Sequence, residues 1–100
     1  MAYDPGALNA SLAAAVGNDG ALMDELRQAF LESAARQLDL MGRSRCDGNW
    51  VNSASRLKSL AASFGAIGLA ALAEEALQGA PGDPVVLRKI SALLDEFAQA

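Results

Sequence analysis

Four groups of helix-breaking residues cut this chain into pieces: Gly17-Asn18-Asp19-Gly20, Asp47-Gly48-Asn49, Gly65, and Gly79-Ala80-Pro81-Gly82. Between them apolar residues recur at spacings of three and four, the period of a helix with one buried face. Leu8, Leu12 and Val16 do so in the short piece from Ala7 to Val16. Leu22, Leu26, Ala29, Phe30, Ala34, Leu38 and Met41 do so along the longest piece. After Gly65, the residues Ile67, Ala70, Ala71, Ala73 and Leu77 are available for burial, and the last piece has an inward stripe of Val86, Leu87, Ile90, Leu93, Leu94 and Phe97. The pattern predicts an all-α fold: an antiparallel four-helix bundle with a short extra N-terminal helix.

Local signals refine the boundaries. Pro5-Gly6 reads as a turn or fray, and Asn18 or Asp19 as the cap of the long helix, with Asp24 and Glu25 in its first turn as the helix dipole prefers. Arg43-Ser44-Arg45 places cations in its last turn, and Asp47-Gly48-Asn49 makes the reversal, with Asp47 or Asn49 as a cap. The next helix runs from about Asn49 to Phe64, and Gly65 suits the left-handed position beyond its end. Glu74-Glu75 falls near the end of the following helix; adjacent helical residues point apart, so solvated surface is the expectation there rather than a carboxylate pair. Asp83 caps the last helix and Pro84 takes its first position.

Composition agrees with this pattern. The chain has 100 residues, 52% of them hydrophobic, and only three prolines. Alanine and leucine dominate, as an all-helical fold favours. One domain spanning residues 1–100 is expected, burying roughly 60–70% of the surface of its unfolded chain. With so many thin alanines, Phe30, Trp50, Phe64 and Phe97 are the expected anchors of the core, Trp50 among them rather than a ligand platform. The formal charge of −4 and the lack of a Lys/Arg run argue against a nucleic-acid partner.

Between Met41 and Ala73, however, the charged residues are Arg43, Arg45, Asp47, Arg56 and Lys58, so the middle of the chain is basic. That suits either a solvated face or the footprint of an acidic partner. Cys46 is the single cysteine, which rules out an internal disulfide and a cysteine metal cluster; a buried or idle thiol is expected. No metal or cofactor is expected. The start, Met1 to Pro5, lacks a signal-peptide pattern, and no uncharged apolar stretch approaches ~20 residues, so a cytoplasmic protein without a membrane partner, and a monomer, is the expectation.

The stretch Ser55-Arg56-Leu57-Lys58-Ser59-Leu60-Ala61-Ala62-Ser63-Phe64-Gly65-Ala66 is the second half of the central helix and its stop. At about 100° per residue, Trp50, Ser53, Leu57, Leu60, Ala61 and Phe64 share one side, and Val51, Asn52, Ser55, Lys58, Ser59 and Ala62 the other. This stretch resembles the signature of histidine phosphotransfer (HPt) domains of bacterial phosphorelays: His-x-Leu-Lys-Gly, a small residue two further on, then Gly-Ala. Leu57, Lys58, Ala61, Gly65 and Ala66 stand in register with it, and the resemblance extends over nearly the whole chain. The place of the phosphorylated histidine is held by Ser55 and that of the following glycine by Ser59; the chain contains no histidine.

A phosphorelay histidine works because neutral imidazole is a good nucleophile near pH 7 and its phosphoramidate passes the phosphoryl group on. A serine hydroxyl needs a base to activate it and would form an ester too stable for a reversible relay. Lys58 lies on the same face, but nothing in the sequence suppresses its charge. Phosphate loops, nucleophile elbows and metal-ligand spacings are missing as well. The resemblance therefore implies a non-enzymatic two-component protein that binds receiver domains of response regulators or hybrid histidine kinases as adaptor, decoy or brake. The implied docking residues are Val51, Asn52, Ser55, Arg56, Lys58, Ser59 and Ala62, with the lysine favouring negative charge and the small residues allowing close approach. Two other readings are an ordinary phosphotransfer protein whose position 55 was changed from histidine, and an interaction module that has kept only the fold.

Overall fold

Trp50 shows how the chain closes on itself. Its ring is 1% exposed, and its indole Nε1–H donates to the backbone carbonyl of Ala76 at 3.0 Å. That carbonyl is one of the last in its helix, where no intrahelical donor follows, so burial of the indole satisfies two polar groups at once. In the computed structural model, which describes residues 5–17 and 19–99, the chain is helical throughout: α1 Pro5–Val16, α2 Gly20–Gly42, α3 Asp47–Ser63, α4 Ile67–Gln78 and α5 Pro84–Gln99. No strand occurs among the described residues. Met1 to Asp4 and Asn18, the alternative cap, lie outside them.

α2 packs on α3 and α5, α4 packs on the same two helices, and α1 lies on α2. The molecule measures 43 × 23 × 19 Å, a cross-section two helices wide in each direction. The three phenylalanines meet at the core, Phe64 only partly buried there. Phe30 of α2 lies 4.8 Å from Phe64, between ring centres, and 6.3 Å from Phe97 of α5. Around them are Ala34, Met41, Ala54, Leu57, Ala61, Leu69, Leu72, Ile90 and Leu93, with Leu8 and Leu12 of α1 covering part of the core. Full burial of each such leucine or isoleucine contributes about 1.5–3 kcal/mol. The alanines Ala34, Ala54, Ala61 and Ala73 are all 0% exposed.

Several caps follow the sequence. Asp19 accepts from Leu22 N at 3.0 Å, and Asp83 accepts from Val85 N at 2.9 Å ahead of Pro84. The stripe on α5 is as expected, with Val86, Ile90, Leu93, Leu94 and Phe97 buried and Leu87 partly so.

Other details differ. α1 begins at Pro5, a residue suited to a first helical position. On α2, Leu22 is 46% exposed and Ala29 is exposed, because both point roughly 100° away from the line of Phe30, Ala34 and Met41; Met23 takes the inward place instead. On α4, Ile67 is 70% exposed and Ala71 is exposed, while Leu69, Leu72, Ala73 and Ala76 are buried. This helix is apolar nearly all round, so its pattern selects no face. The α2–α3 reversal is made by Arg43 to Cys46, not by Asp47-Gly48-Asn49, which is already the first turn of α3. Arg43 and its neighbours therefore follow α2 rather than forming its last turn, and Cys46 is the extended residue at the helix start, with no side-chain cap from Asp47 or Asn49. Its thiol is exposed, not buried.

Candidate functional site

α3 carries the site because its two sides are so unlike. The side of Trp50, Ser53, Ala54, Leu57 and Ala61 is buried, with Leu60 and Phe64 packed partly against it. The opposite side presents Val51, Asn52, Arg56, Lys58, Ser59 and Ala62 exposed, with Ser55 half-buried among them. All seven residues expected at a docking face thus lie away from the core. Small side chains at Ser55, Ser59 and Ala62 leave the helix backbone open to close approach, and Val51, 46% exposed, adds an apolar contact at the N-terminal end.

The face is closed off at its C-terminal end by Gly65. Its φ of 70° is left-handed; Ala66 N donates to Ala61 O at 2.8 Å and Gly65 N to Ala62 O at 3.2 Å. These two bonds are a Schellman stop, and Ala61 and Ala66, at the two ends of the longer loop, are both buried. α4 then begins directly at Ile67, so the turn fixes where α4 runs beside α3.

That placement brings Glu74 to Lys58. Lys58 Nζ lies 2.6 Å from Glu74 Oε1, and Gln78 Nε2 donates to Glu74 Oε2 at 2.6 Å. Glu74 is held below its ordinary carboxylate value, first by the hydrogen bond from Lys58, then by that from Gln78, and then by the lysine's charge. One further along, Glu75 pairs with Lys89 of α5 at 3.0 Å. Glu74-Glu75 is therefore two separate interhelical ion pairs rather than merely solvated surface. A signal for the first existed in the sequence: residues at similar distances on either side of a helix–turn–helix stop face each other, and Lys58 and Glu74 flank Gly65 in that way.

On the other flank of α3, toward α2, is an open groove of about 260 Å³ lined by Leu40, Arg43, Ser44, Asn49, Asn52, Ser53 and Arg56. Ser53 is 6% exposed and belongs to the core side, so the groove reaches inward from the exposed side of α3. Arg43 and Ser44 were not among the expected site residues, because they lie at the α2–α3 reversal and meet Arg56 only through the packing of α2 on α3; Asn49, about two turns before Arg56 on the same helix, reads in the sequence as part of the reversal instead. Comparison with protein-family models, curated proteins and solved structures finds no match. Among the described residues, no helix is long and apolar enough to cross a membrane.

Proposed function

We propose that the chain is an HPt-like module without its phospho-accepting histidine, an antiparallel four-helix bundle of α2 to α5 extended by α1. It binds receiver domains through the outer face of α3, as adaptor, decoy or brake in a two-component pathway. The observation that carries this reading is the exposed face of Val51, Asn52, Ser55, Lys58, Ser59 and Ala62, small at its centre and basic at its edges. A receiver's active site is a cluster of carboxylates, to which Arg56 and Lys58 are complementary.

Catalysis has little to work with at this face. Ser55 has no base hydrogen-bonded to it among the described residues, and the ammonium of Lys58 is engaged by Glu74. Binding is what the geometry supports, and it is tested by titrating the protein with a panel of receiver domains. At least one receiver binds, and Ala62→Glu, which puts a carboxylate at the centre of the face, weakens that complex by about tenfold or more. Equal affinity for both proteins contradicts docking on this face.

A further inference from the structure

The two cations of the α3 face are not equivalent. Lys58 is neutralised by Glu74, whereas among the described residues Arg56 makes no ion pair. Arg56 instead shares its groove with a second guanidinium, Arg43, and with the carboxamides of Asn49 and Asn52; no carboxylate lines the groove. Asp39 occupies Nε of Arg43 at 3.1 Å in a solvent-exposed pair and leaves the terminal nitrogens of that fork unclaimed by it, and Asp47 lines the adjoining pocket beside Ser44 and Arg45 rather than this groove. The hydroxyl of Ser44 donates to Leu40 O at 2.8 Å, so it offers no proton. The donors that remain are two arginine forks and two amides, a set matched to planar oxyanions.

Charge over the chain points the same way. Residues 39–74, which include the acids paired with Arg43 and Lys58, carry four cations and three carboxylates, a local +1 within a protein of net charge −4. An anion is thus drawn to this region and away from the rest of the surface.

We propose that the groove between the C-terminal end of α2 and the first half of α3 is a carboxylate-binding site that takes an acidic loop of a protein partner. Arg56 and Arg43 hold the carboxylates there. A protein loop is favoured over a free ion because the groove is open and has an apolar side. Leu40, 42% exposed, lines it. A solvated ion gains nothing from such a rim, while a loop buries it. The inference rests on the proposed function for the partner's identity. Its chemistry does not depend on that partner being a receiver.

The test uses the full chain at low salt, with a capped tetra-aspartate peptide and inorganic phosphate as separate probes, followed by NMR of arginine Nε–H and asparagine side-chain amides. The peptide shifts Arg43, Arg56, Asn49 and Asn52. Its affinity falls by about fivefold or more in Arg56→Gln and in Arg43→Gln, and stays unchanged in Arg88→Gln, a remote control for net charge. Circular dichroism checks that each variant keeps its helices. Four results overturn the proposal: no shift, shifts confined to arginines outside the groove such as Arg45, equal binding by the arginine variants, or binding of phosphate but not of peptide, which leaves an adventitious ion only. Receivers that fail to bind while the peptide binds the groove would refute the proposed function and leave this site standing.

Discussion

Lys58 and Glu74 face each other across the α3–α4 hairpin, Nζ to Oε1 2.6 Å, at the edge of the proposed docking face. The lysine that the family resemblance assigns to a partner's negative charge is thus already answered by an acid of its own chain. On the proposed function, Glu74 competes with the partner. Replacing it by glutamine leaves Lys58 free, and receiver affinity is expected to rise a few-fold, the scale of an exposed ion pair. Isothermal titration of the Glu74→Gln variant measures this directly; unchanged or weaker binding sinks the competition.

The same pair makes a pH prediction. Because the folded-state value of Glu74 is depressed, its contribution to stability is complete above the ordinary value of 4.5 and is lost as pH falls through the lower folded value. A carbon-detected titration of the Glu74 carboxyl should find its midpoint below 4.5 in the native protein, moving upward in Lys58→Met. The same midpoint in both would mean that the lysine does not hold the acid in solution.

Trp50 links the start of α3 to the end of α4. Trp50→Phe keeps most of the ring but leaves the Ala76 carbonyl without its donor, an expected loss of about 1–3 kcal/mol. Trp50→Ala adds a cavity and is expected to cost about 3–5 kcal/mol. Urea denaturation of both variants checks the order. If Trp50→Phe is as stable as the native protein, the hydrogen bond contributes nothing net.

Gly65→Ala should cost about 1–2 kcal/mol, since φ at this residue is 70° and only glycine adopts that conformation without strain. Thermal melting is the check. A change smaller than this would mean that the turn re-forms another way and that the path into α4 is not fixed by the glycine.

Much of this architecture was legible in the sequence because its signals are local. Gly65 marks a left-handed stop, Asp19 and Asp83 cap helices, and the α5 stripe repeats cleanly from Val86 to Phe97. The division of α3 into core and outer faces follows from helical period alone. The inward face of α4 was not legible: with alanine and leucine on every side, the period gives no direction, and only packing against α3 and α5 selects Leu69 and Leu72 over Ile67 and Ala71. α3 starts two residues before the expected Asn49, because Asp47 and Gly48 read as a turn although both are helical here. The groove joining Arg43 to Arg56 was invisible for another reason: its halves lie on different helices, and nothing local to either says that they meet.

The most direct measurement is phosphoryl transfer from a panel of phosphorylated receiver domains to this protein and, in parallel, to its Ser55→His variant. The account predicts that the variant takes up phosphate and the native protein does not, since the face is then complete except for its nucleophile. Phosphate on the native protein would contradict the chemistry argued for Ser55, and no transfer to either protein from receivers that demonstrably bind would contradict the placement of Ser55 at the receiver's active site.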